Sequence, residues 1–190
     1  MKKIAVFASG FGSNFEAIIE AIENQTLKAE IVLLVSDKPN CYALERAHQH
    51  CIETFTFNPK EYQSKKEYEV LIAQQLEKKE VSLIVLAGYM RLIGDILLEK
   101  YSNKIINIHP ALLPAFPGTH AIEKAYEYGV KIFGITIHYV DAGIDTGNII
   151  EQTCFKIKEN ETLEEVERRV HTLEHQSYPI IIEKVLNQLV

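Results

Sequence analysis

Short apolar runs of strand length alternate along this chain with longer segments in which apolar residues recur at helical spacing. The runs that favour buried strands are residues 3–9, 30–36, 52–56, 82–87, 104–108, 132–139 and 148–157. The segments that favour helices are residues 14–24, 41–50, 64–79, 94–100, 120–128 and 162–188. Apolar strands separated by helices are typical of a parallel sheet covered on both faces. The pattern predicts an α/β fold, doubly wound around a mostly parallel, twisted sheet of about seven strands.

The end of the chain departs from this alternation, because no helix separates the last two strands. Residues 132–139 and 148–157 are joined by a short loop and are predicted to pair as antiparallel neighbours. A long C-terminal helix follows them. The 190 residues suffice for one compact domain and are too few for two ordinary ones. We therefore expect one domain over 1–190.

Charge and composition exclude several classes of partner. The 26 acidic and 20 basic residues give a net charge of −6 without a long basic run, so polymeric nucleic acid is not expected as a partner. No stretch approaches the roughly 20 apolar residues that span a bilayer, so we expect no membrane association. Met1-Lys2-Lys3 leads into a predicted strand without a small-residue cleavage site, which makes the cytoplasm the expected location.

The cysteines and paired histidines do not predict a metal centre. Cys41, Cys51 and Cys154 are odd in number and widely spaced, which fits neither a disulfide framework nor a CxxC metal site. His48 and His50 lie two residues apart in a predicted helix, so they would point to different faces, unlike the i,i+4 pair of zinc-binding helices. We therefore expect free thiols and no bound metal.

The first strand ends in a glycine-rich turn, Ser9–Asn14, that opens a predicted helix. Two glycines let the main chain approach an anion, and the helix N-terminus adds partial positive charge. Phe15 stands where a dinucleotide fingerprint has its third glycine, and no Gly-Lys-Ser/Thr is present, so a phosphomonoester fits better than NAD or ATP. In the alternative interpretation, Ser13 only caps the helix and Glu16 completes a capping box.

The segment Asn107-Ile108-His109-Pro110 places two polar side chains at the end of an apolar strand. Successive strand residues alternate faces, so Asn107 and His109 project together, and Pro110 ends the strand. An amide donor beside an imidazole suggests catalysis at a carbonyl, although a capped strand end has the same pattern. Asp141 and Asp145, in the loop between the last two strands, are either carboxylate partners of an imidazole or ordinary turn residues.

Together with Leu86–Arg91 and Glu174–Pro179, these motifs resemble the phosphoribosylglycinamide formyltransferase family, and the resemblance covers essentially the whole chain. It implies transfer of a formyl group from 10-formyltetrahydrofolate to the glycinamide amine of a phosphoribosyl substrate, in de novo purine synthesis. It also implies the Rossmann-like formyltransferase fold, small-molecule substrates, no metal, and a monomer or homodimer. The phosphoribosyl-binding half would cover residues 1–100 approximately, and the catalytic and folate-binding half residues 86–190.

The resemblance implies that Asn107, His109 and Asp145 are catalytic. The Asn107 amide N–H and a protonated His109 would stabilise the negative charge that develops on the formyl oxygen as the amine attacks. Asp145 would pair with the imidazole and raise its pKa. Through a bound water molecule, Asp145 would also help to move a proton from the attacking amine to the departing folate nitrogen.

The resemblance also implies two sets of binding residues. For the phosphoribosyl substrate these are Gly12, Ser13 and Asn14 at the phosphate and Glu174 at the glycinamide amine. For the folate they are Lys65, Met90, Arg91, Leu92, Ile93, Asn107, Val140, Asp141, Ala142, Gly143 and Ile144, largely through the main chain. Lys65 stands where the family often has an arginine, which keeps the charge but loses the bidentate fork. Arg91 is alternatively an anchor for the folate glutamate or part of a structural ion pair.

Other interpretations remain open at this point. His120 would position substrates or cap the next helix, and His138 is interpreted as structural.

A formyltetrahydrofolate hydrolase would not need the glycine-rich turn or Glu174, and a methionyl-tRNA formyltransferase should carry an added basic domain. A rival of another class is a non-catalytic phosphoribosyl- or dinucleotide-binding module with Asp37 as the ribose acceptor, against which the incomplete glycine fingerprint counts.

Overall fold

The computed structural model describes residues 1–189 as one seven-stranded sheet flanked by helices. The strands are β1 (Lys2–Phe7), β2 (Ala29–Ser36), β3 (Thr54–Thr56), β4 (Leu83–Leu86), β5 (Ile105–His109), β6 (Ile132–Tyr139) and β7 (Ile149–Lys156). The helices are α1 (Ser13–Glu23), α2 (Tyr42–Gln49), α3 (Lys65–Lys78), α4 (Asp95–Lys100), α5 (Ala121–Tyr128) and α6 (Leu163–Gln188). The strands lie in the order β3-β2-β1-β4-β5-β6-β7.

The predicted alternation of strands and helices is confirmed, and no predicted bound differs from the observed one by more than two residues. Strands β1 to β5 pair in parallel, whereas β6 pairs antiparallel with both β5 and β7. The predicted antiparallel pair at the end of the sheet is therefore confirmed. One short element, the 3-10 turn Pro59–Glu61, is missing from the prediction because apolar periodicity does not reveal a single turn.

Alternating strand residues divide the core into two apolar layers. In β1, Ile4 and Val6 face a first layer that includes α1 and α6, whereas Ala5 and Phe7 face a second layer with α3 and α4. Because the sheet is covered on both faces, β4 is apolar at every position, and β1 is apolar from Ile4 to Phe7. Within residues 1–189, no helix has both the length and the apolar character needed to cross a bilayer.

The strand order reverses at β1, where the chain crosses from the β2–β3 side of the sheet to the β4–β5 side. In open α/β sheets, ligands bind in the crevice at the carboxyl ends of the strands beside such a switch point. The loops after β1 and β4 meet there, since the Ser9 N–H donates to the Gly88 carbonyl oxygen at 3.1 Å. On β5, the apolar neighbours of Asn107 belong to the first layer, so Asn107 and His109 project from the other face.

Helix α6 is fixed at its start and in its middle. At the start, the Thr162 hydroxyl oxygen accepts from the Glu165 N–H, and the Glu165 carboxylate accepts from the Thr162 N–H. In the middle, the fully buried Tyr178 hydroxyl donates toward the carbonyl oxygens of Leu86, at 2.8 Å, and Ile106, at 3.3 Å. The hydroxyl therefore ties the helix to β4 and β5.

We expect Tyr178→Phe to lower the free energy of unfolding by about 1–2 kcal/mol, because it removes the donor from two buried carbonyl oxygens. Urea unfolding followed by circular dichroism measures this change. Tyr128→Phe is the matched control, since Tyr128 is 81% exposed. Equal stability of the two variants would contradict the anchoring role of the Tyr178 hydroxyl.

Candidate active site

Three polar side chains converge on one face of β5. Asn107 and His109 project from the strand, and Asp145 comes from the β6–β7 loop with a φ of 54°. The Asp145 Oδ2 atom lies 3.3 Å from His109 Nδ1, and the Oδ1 atom lies 3.5 Å from Asn107 Nδ2. The three residues predicted to be catalytic are thus neighbours, although 38 residues separate the first from the last.

Both ring nitrogens of the buried His109 face oxygen acceptors. The Nε2 atom lies 2.8 Å from the Phe116 carbonyl oxygen, and the Nδ1 atom faces the Asp145 carboxylate. A neutral imidazole carries one N–H, whereas an imidazolium carries two and can donate in both directions. An imidazolium at this position could therefore donate to an oxygen on each side of the ring.

The surroundings of Asp145 favour its charged form. Burial alone would raise the pKa of this carboxyl, but a hydrogen bond from His138, the Gly118 N–H and the charges of His109 and His138 together hold the pKa below its usual value. The Gly118 N–H donates to Asp145 Oδ2 at 2.8 Å. A carboxylate therefore stands beside the His109 ring.

His138 contacts Asn107 and Asp145, whereas the sequence alone predicts only a structural role for it. It lies directly opposite Asn107 in the β5–β6 ladder, and its Nε2 atom is 3.2 Å from Asn107 Nδ2 and 3.5 Å from Asp145 Oδ1. The Nδ1 atom lies 2.8 Å from the Tyr139 carbonyl oxygen. Finding His138 requires the register of β5 against β6, and an apolar pattern identifies strands without saying which of them pair.

The glycine-rich turn after β1 is held from behind by α2. The Gly10 carbonyl oxygen accepts from the Ala43 N–H at 3.1 Å, and the Phe11 carbonyl oxygen accepts from Arg46 Nε at 3.0 Å. In a trans peptide the N–H points opposite to the C=O, so the N–H groups of Phe11 and Gly12 point away from α2. Together with the N-terminus of α1, they form a concave set of donors suited to an anion.

The alternative interpretation of this turn, a capping box at Ser13, is wrong. Helix α1 begins at Ser13 itself, and Gly12 occupies the N-cap position with a φ of 76° and no side-chain cap. Glu16 instead forms a 2.7 Å ion pair with Arg46. A Cβ atom on Gly12 would lie 2.8 Å from the Ala43 Cβ, so this position needs glycine both for its φ and for space.

Helix α6 brings Glu174 next to the glycine-rich turn. The buried Glu174 carboxylate accepts from Asn14 Nδ2 at 3.1 Å and lies 2.9 Å from His171 Nδ1. The hydrogen bond to Glu174 raises the pKa of His171, whereas burial lowers the pKa of His175. Asn14 Oδ1 and His175 Nε2 are buried without a hydrogen-bond partner among residues 1–189. Asn14 and Glu174, both predicted to bind substrate, are therefore direct neighbours.

The loop after β4 lies on the other side of the crevice. Its residues Met90 and Leu92 are exposed, and Arg91 forms a 3.0 Å ion pair with Asp37. Asp37 is buried and also accepts a hydrogen bond from the Ser9 hydroxyl. The structural ion pair considered for Arg91 is therefore present, and Asp37 is not free to receive a ribose hydroxyl.

A cavity of about 230 Å³ lies between this loop, the start of α3 and the β6–β7 loop. Four of the predicted folate residues line it, namely Lys65, Leu92, Ile93 and Ala142. Asp141 bonds within its own loop, where its Oδ1 atom accepts from the Gly143 N–H at 3.0 Å and the Thr146 hydroxyl at 2.6 Å. The loop is joined to the sheet by the Val140 N–H, which donates to the Ile105 carbonyl oxygen at 3.0 Å.

His120 lies outside the cluster around Asp145. Its side chain is 72% exposed and contacts Glu123 at 3.1 Å. It occupies the N-cap position of α5, but its side chain makes no capping hydrogen bond, so the predicted capping role is wrong. Among residues 1–189, no group of three or more His, Cys, Asp or Glu side chains is arranged to hold a metal ion.

Comparison with known proteins places this chain within one family. The profile of the formyl transferase family matches residues 2–182, and the chain belongs to that family. It is 55% identical over 186 residues to the phosphoribosylglycinamide formyltransferase of Bacillus subtilis (strain 168), an alignment that covers 98% of this chain and 95% of that protein. Within the family, the chain is therefore a member of the phosphoribosylglycinamide formyltransferases, as its motifs predict.

Solved structures share the fold. The phosphoribosylglycinamide formyltransferase of Bacillus halodurans has a TM-score of 0.94 at 49% identity, covering 97% of this chain and 95% of that one. The glycinamide ribonucleotide transformylase 1 of Geobacillus kaustophilus has a TM-score of 0.95 at 48% identity, covering 98% of this chain and 99% of that one. The predicted fold class, with its antiparallel strand pair and long C-terminal helix, is confirmed.

We expect Asp145 to make stability depend on pH in acid. The pKa of the Asp145 carboxyl in the folded protein is below the ordinary value of 3.8, so the charged carboxylate stabilises the fold. This stabilisation is fully present when the pH is above 3.8, and it is lost as the pH falls through the pKa of the folded protein. Asp145→Asn removes this contribution, so its destabilising effect should be larger at about pH 7 than at about pH 3. Urea unfolding of both proteins across this range tests the expectation, and a constant difference would contradict it.

Proposed function

We propose that the protein transfers the formyl group of 10-formyltetrahydrofolate to the amine of phosphoribosylglycinamide, giving the N-formyl product and tetrahydrofolate in de novo purine synthesis. Membership of the phosphoribosylglycinamide formyltransferases supports this choice of substrates. The observation that carries the proposal is the cluster of Asn107, His109 and Asp145 on β5. Strand β5 neighbours β4, whose following loop forms one wall of the 230 Å³ cavity, and the strand beyond β4 is β1, which leads into the glycine-rich turn.

In the first step, the ammonium group of the substrate loses one proton to solvent, the resulting amine nitrogen attacks the formyl carbon, and the electrons of the carbonyl double bond move to oxygen. The His109 imidazolium and the Asn107 amide supply hydrogen-bond donors where this negative charge develops. The His109 Nε2 atom now faces the Phe116 carbonyl oxygen, so the formyl oxygen would compete for that N–H. The contacts of Asn107 Nδ2, at 3.2 and 3.5 Å, are long enough for a charged oxygen to replace one of them.

In the second step, a lone pair of the oxyanion re-forms the carbonyl double bond, the bond between the formyl carbon and the folate nitrogen breaks, and the electrons of that bond go to the folate nitrogen. The attacking amine must lose a proton and the folate nitrogen must gain one. Asp145 remains a carboxylate beside His109, so it can accept the amine proton through a water molecule and return it to the folate nitrogen. Before it takes up this proton, its negative charge also stabilises the His109 imidazolium as the oxyanion forms in the first step.

The two substrates would approach the cluster from neighbouring loops. The phosphate would bind at Gly12, Ser13 and Asn14, where free N–H groups and the N-terminus of α1 favour an anion. Glu174 would receive the ammonium group of the glycinamide. The folate would lie against residues 90–93 and 140–144, with Lys65 available to pair with a carboxylate.

We place this activity in the cytoplasm, and we expect a monomer or a homodimer. Cys41, Cys51 and Cys154 are free thiols, which suits a reducing compartment. The folate acts as a co-substrate, and the proposed transfer requires no metal ion because the proton and charge steps are assigned to side chains.

The proposal predicts that purified protein releases tetrahydrofolate from 10-formyltetrahydrofolate only when phosphoribosylglycinamide is present. His109→Asn should lower kcat by about 10²–10⁴-fold, because it removes the charged donor from the developing oxyanion. His48→Asn is the matched control, since His48 is exposed on α2. Turnover with water alone would identify a hydrolase and overturn the proposal.

Glu174→Gln should raise KM for phosphoribosylglycinamide by about tenfold or more, because it removes the charge opposite the ammonium group. KM for the folate should not change. Steady-state kinetics with each substrate varied in turn separates the two effects. Glu164→Gln, in an exposed ion pair on the same helix, is the control. An equal rise of both KM values in Glu174→Gln would argue against the assigned contact.

A further inference from the structure

Two buried carboxylates from different elements hold the ends of the segment Met90–Gly94, which we call the folate loop. Asp37, which follows β2, holds its first end. The Asp37 Oδ2 atom lies 3.0 Å from Arg91 Nε, and its Oδ1 atom accepts from the Ser9 hydroxyl. The Ser9 hydroxyl oxygen in turn accepts from the Met90 N–H at 2.9 Å. One carboxylate therefore fixes a side chain and, through Ser9, a main-chain group of the loop.

Glu69, on α3, holds the other end of the folate loop. Its Oε1 atom accepts from the Gly94 N–H at 2.6 Å. A Cβ atom on Gly94 would lie 2.6 Å from Glu69 Oε2, so a glycine is needed for the carboxyl to approach this closely. Glu69 is only 2% exposed, and its Oε2 atom is buried without a hydrogen-bond partner among residues 1–189.

Stability alone does not account for Glu69. A buried carboxyl oxygen without a partner costs free energy, and an apolar side chain of similar size would avoid that cost. Burial also raises the pKa of Glu69, which is the sign of an unfavourable environment for its charge. What Glu69 does provide is one strong acceptor for the N–H of Gly94 at the start of α4.

Between its two held ends, the folate loop has free main-chain donors. Within the described chain, the N–H groups of Arg91, Leu92 and Ile93 donate to no other residue. Main-chain groups can recognise a flat heterocycle only if their positions are fixed before binding, since ordering a loop on binding weakens affinity. Packing fixes this loop at one residue, since Ile93 is buried in the second core layer, whereas Met90 and Leu92 are exposed.

We propose that Asp37 and Glu69 are positioning residues that hold the folate loop in the shape that accepts the folate. The inference rests on the proposed function, because it concerns the same folate site. Neither carboxylate touches the reacting atoms. Each acts through the loop, Asp37 through Arg91 and Ser9, and Glu69 through Gly94.

The test measures equilibrium binding of tetrahydrofolate to the intact protein by anaerobic titration calorimetry. Asp37→Asn and Glu69→Gln should each raise Kd by about tenfold, because each loses a charge-assisted contact to the loop. With saturating folate, kcat should stay near the wild-type value, since the loop still closes around bound folate. Glu161→Gln is the matched control, because Glu161 is a buried carboxylate paired with Arg169 at 2.6 Å, away from the loop.

Two further variants keep the test decisive if a carboxylate variant does not fold. Gly94→Ala places a methyl group where the Glu69 carboxyl lies, and the backbone φ of −100° at Gly94 suits alanine. Ser9→Ala removes the acceptor of the Met90 N–H. Both should raise the Kd for tetrahydrofolate in the same direction as the carboxylate variants.

The outcomes separate this inference from the proposed function. If wild-type protein binds tetrahydrofolate and the variants bind it equally well, the positioning role is overturned while the proposed function stands. If wild-type protein does not bind tetrahydrofolate, both are overturned. If Glu69→Gln weakens binding of phosphoribosylglycinamide as much as that of tetrahydrofolate, the substitution disturbs the fold as a whole rather than the folate loop. The positioning role is then overturned as well.

Discussion

The site depends on β5 being paired in two ways, in parallel with β4 and antiparallel with β6. The parallel side brings the carboxyl end of β5 beside the loops after β1 and β4. The antiparallel side places His138 opposite Asn107, and the loop that follows β6 folds over the face from which Asn107 and His109 project. If β6 ran parallel to β5, the loop that follows β6 would lie at a different point along β5 and would not bring Asp145 beside Asn107 and His109. The change of strand direction is therefore what assembles the cluster.

Charged groups around the crevice are oriented by neighbouring protein atoms. Asp145 is held by Gly118 and the two histidines, and Glu174 by Asn14 and His171. Donors and acceptors that are fixed in advance stabilise developing charge without having to reorient during the reaction. The same principle applies to the glycine-rich turn, the proposed phosphate site, whose peptide orientation is set by hydrogen bonds to α2 behind it.

Much of the molecule could be predicted from local patterns. The alternation of apolar runs predicts the sheet and its helices, and the Asn-x-His-Pro segment predicts which strand carries the polar pair. Features that depend on long-range geometry could not be predicted from local patterns, and the meeting of Asp145 with Asn107 and His109 was expected only through the resemblance to a known family. His138 was missed because its importance comes from strand register, and the capping box at Ser13 was wrong because Arg46, far along the chain, takes the Glu16 carboxylate. The short-range signal for a cap was present, but the helix begins at Ser13 itself, so that Gly12 occupies the N-cap position.

Helix α6 carries Glu174 and Tyr178 one turn apart, so the same short stretch faces both the crevice and the core. On the proposed function, a substrate held by Glu174 would bind only while Tyr178 is docked on β4 and β5, and its binding energy would add to the stability of the docked helix. Fluctuations that lift this turn from the sheet remove a wall of the crevice at the same time. Affinity for the phosphoribosyl substrate and resistance of the C-terminal helix to local unfolding are thus linked properties.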